Sequence, residues 1–250
     1  IANHKPAMIW IESPTNPLLK IIDIEEICNF SNKLQIPVVV DNTFASPVNQ
    51  NPTDFGIDIV IHSATKYMGG HSDICAGAVA STTENMDRIF QLAKNFGGSL
   101  SDYTVWLLER SMKTMGIRVK AQNENALAMA IFLDGLEEVE KVYYPGLPTH
   151  IDHDIAKNQM KGYGGMLSFE LNEKLDSSKF QKALNLIKPS MSLAGVESTV
   201  LSPTQTSHAL MSAEVRAEQG ISDGLIRFSL GIEEIEDLKN DIQQALNFIK

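Results

Sequence analysis

From residue 8 onward, short apolar runs alternate with polar turns and amphipathic stretches. The run Met8-Ile9-Trp10-Ile11 gives way to a Pro-rich turn, after which Ile24, Ile27, Cys28, Ser31 and Leu34 recur on one helical face. Asp23 and Glu26 have the spacing of a capping box and place the start of that helix. Pro37 then stands just ahead of Val38-Val39-Val40, a β-branched run suited to a strand buried on both faces. Residues 57–61 supply a third run and residues 76–80 a fourth. The repeat over residues 8–62 predicts a parallel α/β sheet.

From about residue 102 to 133 the period is helical, and Gly135 closes one long segment. The remainder changes character. Strands are expected at 141–144, 166–171 and 226–230, with helices near 177–187 and 234–249, an alternation that suits a smaller α+β domain. The turn Tyr143-Tyr144-Pro145-Gly146-Leu147-Pro148 interrupts the periodicity, so a division into 1–145 and 146–250 is expected there.

Composition narrows the function. A chain of 250 residues with 43% hydrophobic content can bury a full core as one large domain or two modest ones. Its 31 acidic residues outnumber 21 basic ones, for a net charge of −10 with no Lys/Arg cluster. Nucleic acid and anionic membrane are therefore not expected as partners. The apolar runs at 8–11 and 36–40 are far shorter than the roughly 20 residues of a membrane helix, so a soluble protein is expected. Cys28 and Cys75 lack metal-type spacing, which points to two core thiols, no disulfide, no metal and a reducing cytoplasm. With Ile1 first and a strand-like segment by Met8, the sequence reads as starting in mid-domain.

Ligands of open parallel sheets gather beyond the carboxyl ends of the strands. Three polar groups fall at such places: Asn16 after the first run, Asp41 at the end of the second, and Ser63, Thr65 and Lys66 after the third. A partly desolvated lysine can be a neutral amine near neutral pH and attack an aldehyde. Ser63 and Thr65 offer hydroxyl donors, and Gly69-Gly70 allow the close backbone approach that a phosphate ester requires. A buried Asp41 carboxylate calls for a cation, which a protonated pyridine nitrogen would supply. Each residue also has a plainer reading: Asp41 as the cap of a turn, and Lys66 as a solvated loop side chain. His150 and His153 lie in a polar stretch with Asp152 and Asp154 and read as a solvated turn rather than a metal pair.

The segment Ser63-Ala64-Thr65-Lys66-Tyr67-Met68-Gly69-Gly70-His71-Ser72-Asp73 resembles the pyridoxal-5'-phosphate (PLP) attachment signature of the Cys/Met-metabolism enzymes: cystathionine γ-lyase, cystathionine γ-synthase, cystathionine β-lyase and methionine γ-lyase. Further segments follow in the family's order. They are Glu12-Ser13-Pro14-Thr15-Asn16-Pro17, Val40-Asp41-Asn42-Thr43-Phe44, Tyr144-Pro145-Gly146-Leu147, Ser192-Leu193-Ala194-Gly195-Val196-Glu197-Ser198 and the stretch from Gly220 through Arg227 to Ser229. The resemblance implies a fold type I transferase, with an aspartate-aminotransferase-like α/β large domain followed by a smaller α+β C-terminal domain.

It also implies roles. Lys66 would hold PLP as a Schiff base and shuttle protons; Asp41 would keep the pyridine nitrogen protonated; Ser63 and Thr65 would bind the phosphate. Asn16 would reach the cofactor's phenolic oxygen and the substrate carboxylate, which Ser192 and Arg227 would also bind. A structural alternative for Arg227 is an arginine that snorkels to the surface. The motif assigns no metal to His71 and Asp73. The family's N-terminal phosphate loop, its ring-stacking Tyr, and the Tyr and Arg that reach a neighbouring subunit's phosphate are not in this sequence.

The implied activity is elimination or replacement of the γ-substituent of cystathionine or a homoserine derivative, in a homo-oligomer built as a dimer of active dimers. Methionine γ-lyase or cystathionine β-lyase is the alternative, favoured by the apolar Met191 just before Ser192. Lys94, ahead of Gly97-Gly98, is a loose match to a methionine γ-lyase lysine and reads as a solvated helix-end side chain. A PLP-binding protein without turnover, or an inactive fragment, is the reading from another class.

Overall fold

The computed structural model describes residues 6–206 and 209–250. Four strands, β1 (Ile9–Glu12), β2 (Val38–Asp41), β3 (Ile59–Ser63) and β4 (Gly77–Ser81), lie side by side in chain order. The first three are parallel, as the repeating pattern predicts; β4 runs antiparallel to β3. The cause is local. Thr65 exchanges hydrogen bonds with Ala76, so the intervening loop turns the chain straight back instead of carrying it over a sheet face.

Helix α1 (Ile24–Leu34) begins at Asp23, whose carboxylate accepts from the Glu26 N–H at 2.9 Å, and it buries Ile24, Cys28 and Ser31. Between β2 and β3 the chain forms only the short α2 (Ser46–Asn49) and a 3-10 turn over Pro52–Phe55. Helix α3 (Thr83–Phe96) is not among the expected elements. Met86, Ile89, Phe90, Ala93 and Phe96 recur at helical spacing, yet none of its residues is buried, and Phe90 and Phe96 stand exposed.

The expected single helix of residues 102–133 is two. α4 (Asp102–Met112) and α5 (Met115–Asp134) are separated where Thr114 leaves helical geometry at φ −110° and ψ 3°, with its hydroxyl donating to the Ser111 carbonyl.

The second sheet contains β5 (Val139–Tyr143), β6 (Met166–Leu171), β7 (Lys188–Pro189), β8 (Thr199–Leu201) and β9 (Leu225–Ser229), in the order β5-β6-β9-β8-β7. β5 already belongs to it, so the change of sheet falls between Ser81 and Val139, ahead of the Tyr143–Pro148 turn. Helix α6 (His153–Gln159) occupies part of the stretch expected to be a polar turn. Helix α7 (Ser177–Ala183) ends short of residue 187 because the Asp241 carboxylate accepts from the N–H groups of Asn185, Leu186 and Ile187 at 2.8–3.0 Å. That buried acid holds the chain out of helix and turns it into β7. The short α8 (Ala213–Glu218) precedes β9, and α9 (Ile235–Ile249), which carries Asp241, closes the chain.

The main core lies between the second sheet and helices α5, α7 and α9, centred on Phe169, Phe180 and Phe228. Leu19, Phe44 and Tyr67 from the loops of the first sheet enter the same core, so the two sheets share one apolar interior at the loops that carry the candidate chemistry. Among the described residues, no helix is long and apolar enough to cross a membrane, and no group of three or more His, Cys, Asp or Glu side chains could hold a metal ion.

Candidate active site

Parallel pairing brings the carboxyl ends of β1, β2 and β3 to one edge. Glu12 stands opposite Asp41, and Asp41 opposite Ile61, in adjacent registers. Asp41 accepts the Thr43 N–H through Oδ1 at 2.9 Å, so it caps the turn that follows β2. Thr43 in turn accepts the Ser63 N–H at 2.8 Å, tying the end of β2 to the end of β3. His62, just before Ser63, is held below the usual histidine range by burial, against the opposing pull of the Asp41 charge.

The loop after β3 is a tight turn. Lys66 N–H donates to the Ser63 carbonyl at 3.0 Å, Gly69 N–H to Ala64 at 2.8 Å and Gly70 N–H to Lys66 at 2.6 Å. Thr65 Oγ1 accepts the Ala76 N–H at 2.9 Å and donates to the Ala76 carbonyl at 3.2 Å, so its hydroxyl is engaged within the loop. The half-buried Lys66 amine is held below the ordinary lysine range, first by burial and then by the Arg227 guanidinium, with Cys75 pulling the other way. The expectation of two core thiols holds for Cys28 alone; Cys75 is exposed, because it lies in the returning arm of the loop rather than on a packed face.

Arg227 does not snorkel. It sits in β9 between β6 and β8, only 4% exposed, and burial pushes it down to about 10. Its guanidinium donates to Asn16 Oδ1 and to the Met191 carbonyl, each at 3.2 Å. Ser192 Oγ lies 3.1 Å from Ser72 Oγ, and the Val196 N–H donates to the Gly70 carbonyl at 2.9 Å. The loop bearing Ser192 therefore rests on the loop bearing Lys66. These contacts set the Ser192 and Arg227 segments against the Lys66 loop and Asn16; Ser63 opens the same turn as Lys66, and Asp41 lies at the neighbouring strand end.

The histidine expectation needs correction. His150 is buried, not solvated, and its Nδ1 accepts the Asp152 N–H at 3.1 Å; burial holds it below the usual histidine range. His153 Nδ1 donates to the Pro145 carbonyl at 2.8 Å. Both rings secure backbone. A cleft of about 390 Å³ lined by Leu18, Lys141, Tyr143, His150 and Gly220 contains none of the candidate residues.

Three residues that support the site escape sequence reasoning. Tyr67 is fully enclosed, its phenol raised by burial, and its oxygen accepts the Gly165 N–H at 3.0 Å. Gln122 donates to the Gly195 carbonyl at 2.7 Å, while its buried Oε1 has no partner among the described residues. Arg118 donates to the carbonyls of Tyr67, Met68 and Ser111. A polar residue in a helical repeat reads as solvent-facing unless the neighbouring loops are known. The adjacency of Tyr67 to Lys66 was the one signal available.

Comparison with known proteins places these motifs in context. The family model described as Cys/Met metabolism PLP-dependent enzyme matches residues 1–247. A cystathionine γ-lyase of Dictyostelium discoideum is 45% identical over 245 residues, covering 97% of this chain and 63% of that protein. A cystathionine β-lyase of Lactococcus lactis is 46% identical over 239 residues, covering 95% and 63%. The crystal structure of a cystathionine γ-synthase from Xanthomonas oryzae in complex with cystathionine superposes with a TM-score of 0.95 at 42% identity, covering 98% of this chain and 64% of that one. The chain thus spans a little under two thirds of the length of these relatives.

Proposed function

The chain belongs to the Cys/Met-metabolism PLP-dependent enzymes, and on that premise we propose that it carries the lysine and carboxylate-binding half of a site that eliminates or replaces the γ-substituent of cystathionine or a homoserine derivative. One observation carries the reading: the loop bearing Lys66 meets the loop bearing Ser192 through the 3.1 Å Ser72–Ser192 contact, beside a buried Arg227 that reaches Asn16 and the Met191 carbonyl, and burial and Arg227 hold the Lys66 amine below the lysine range. An amine meant to take a proton and a cation meant to hold an amino acid belong side by side.

The residues fit the cofactor. Lys66 offers a desolvated amine, Asp41 a carboxylate at the neighbouring strand end, and Ser63 a hydroxyl at the mouth of the loop. Thr65 would have to exchange its bond to the Ala76 carbonyl for one to phosphate. When bound, PLP supplies an electron sink for charge developing at the substrate Cα.

Arg227 holds the α-carboxylate through its planar fork, giving up its bonds to Asn16 and the Met191 carbonyl as it does so. Asn16, released, turns its amide to the same carboxylate or to the cofactor's phenolic oxygen, and Ser192 adds a hydroxyl. Lys66 takes the proton from Cα, and Asp41 keeps a proton on the pyridine nitrogen. Burial of Arg227 makes the carboxylate contact strong, since water competes poorly there.

Methionine γ-lyase or cystathionine β-lyase chemistry is the second reading. Met191 favours it, an apolar side chain standing 64% exposed beside Ser192 with no charge to meet the distal ammonium of cystathionine. The proposed setting is the cytoplasm, supported by two free thiols, and the proposed assembly is a homo-oligomer of paired active dimers. Exposed Phe90, Phe96 and Trp106 on α3 and α4 support burial against further polypeptide.

The test is to titrate the full-length protein with cystathionine, methionine and an activated homoserine while following the cofactor absorption band and keto-acid release. Turnover of any of them supports the class, and the preferred substrate separates the two readings. A band without product would identify a non-catalytic binding protein, and the absence of a band would remove the proposal.

A further inference from the structure

We propose that Arg118 is a positioning residue for Lys66, fixing the direction from which the amine enters the site; the inference rests on the function proposed above. Arg118 lies on α5, 5% exposed, with every guanidinium nitrogen engaged. Nε donates to Thr114 Oγ1 at 3.2 Å, Nη1 to the Tyr67 carbonyl at 2.9 Å, and Nη2 to the carbonyls of Ser111 at 2.9 Å and Met68 at 3.4 Å. No carboxylate pairs with it among the described residues. A buried cation satisfied by three carbonyls and a hydroxyl, with no countercharge, is a costly arrangement that an apolar side chain would avoid.

What that arrangement accomplishes is local. The turn 63–70 uses the carbonyls of Ser63, Ala64 and Lys66 for its own hydrogen bonds. Those of Tyr67 and Met68 are left to Arg118. The peptide planes that follow Tyr67 and Met68 are thereby fixed, one and two residues beyond Lys66, and together with the Gly70 N–H bond to the Lys66 carbonyl they steady the backbone from which the Lys66 side chain departs. Gly70 is part of the same fit. It adopts φ +73°, and a Cβ there would collide with Arg118 Nη1, so only glycine lets the guanidinium slide under the turn. Above the turn, Tyr67 Oη and the Gly70 carbonyl hold Gly165 and Val196. The clamp works from below against that fixed roof.

Lysine cannot replace the fork. An ammonium on a flexible stem can reach one or two carbonyls but cannot hold three carbonyls and a hydroxyl in a planar array. Burial also lowers the Arg118 pKa, consistent with a cation placed for geometry rather than for pairing.

The experiment compares wild type, Arg118→Lys, Arg118→Met and Thr114→Val in the full-length holoenzyme. Three readouts are taken: the pH midpoint of the absorption band of the lysine-bound cofactor, kcat and KM separately, and amide hydrogen exchange over residues 64–72 in the cofactor-free protein. Arg118→Lys is expected to move the midpoint, lower kcat about tenfold or more with KM changed far less, and speed exchange over 64–72, because small displacements of a reacting group cost rate steeply. Arg118→Met should do the same more strongly. Thr114→Val, which removes the acceptor of Nε together with the hydroxyl's own bond to the Ser111 carbonyl, should shift all three in the same direction by less, while Thr114→Ser, which keeps both bonds, should leave them at wild-type values; this pair decides the matter if the Arg118 variants fail to fold. Wild-type midpoint and kcat in the folded Arg118 and Thr114→Val variants, even with a lower melting temperature, would reduce Arg118 to a merely structural role. If wild type itself lacks the lysine-dependent band, the proposed function fails and not the clamp, which the exchange measurement still tests.

Discussion

Arg227 in the second sheet donates to Asn16 Oδ1 in the loop after the first strand at 3.2 Å, a contact between residues 211 positions apart. That hydrogen bond sets the cation proposed to bind the substrate carboxylate against the candidate cofactor edge and gives it a partner. Substituting Arg227 should therefore act on binding. Arg227→Ala is expected to raise KM for every amino-acid substrate alike, by roughly 2–5 kcal/mol in binding terms for a desolvated charge contact. Steady-state kinetics with cystathionine and methionine check this; loss confined to one of them would assign Arg227 to side-chain recognition instead.

The same guanidinium lowers Lys66, so pH dependence carries a second signature. Burial and Arg227 both disfavour the charged amine, and the neutral form therefore accumulates at lower pH than for an ordinary lysine. Neutralising Arg227 as Arg227→Gln should shift the titration of Lys66 upward, toward the ordinary lysine value. Reductive methylation rates of Lys66 measured against pH in the cofactor-free protein report it directly, and an unmoved midpoint would mean burial alone sets the amine.

Lys66→Ala should abolish both covalent retention of PLP and turnover. Borohydride reduction of the wild-type protein followed by peptide mapping identifies the attached lysine. Label on any other lysine would overturn the assignment.

Asp41 caps a turn, and the charge it is proposed to offer the pyridine nitrogen is separable from that cap. Its Oδ1 caps Thr43 at 2.9 Å, a bond that an asparagine carbonyl can still accept. Asp41→Asn thus keeps the turn while removing the charge, and turnover should fall by roughly 10²-fold or more with PLP largely retained. Unchanged kcat would leave Asp41 as a cap only.

Tyr67→Phe removes the acceptor for the buried Gly165 N–H. An unsatisfied buried donor costs about 1–3 kcal/mol, which for a chain of this size corresponds to a fall of roughly 2–4 °C in Tm per kcal/mol. Thermal unfolding of the full-length holoenzyme measures it, and an unchanged Tm would indicate that water replaces the phenol.

Met191→Glu should raise the preference for cystathionine over methionine by giving the distal ammonium a partner. Met191 is exposed while its carbonyl is held by Arg227, so the side chain can change without moving the guanidinium. The ratio of kcat/KM for the two substrates decides whether residue 191 faces the distal group.

The local pattern alone placed β2 at its β-branched run and α1 at its Asp23 cap, because backbone sterics and capping hydrogen bonds act within a few residues. Their places beyond the strand ends also picked out Asn16, Asp41, Ser63, Thr65 and Lys66, and the family resemblance added Ser192 and Arg227. Tertiary structure decided what depends on partners distant in sequence. α7 ends early because Asp241, more than fifty residues on, takes its outgoing amides. β4 turns antiparallel because Thr65 meets Ala76, and Cys75 stays exposed while Cys28 is covered. His150 is buried in a stretch whose composition is that of a solvated turn. Arg118 reads as one more polar helix position, and only the packing of α5 beneath the Lys66 loop turns it inward. Periodicity tells which face a residue occupies; what lies across from that face is set by chain closure over long separations.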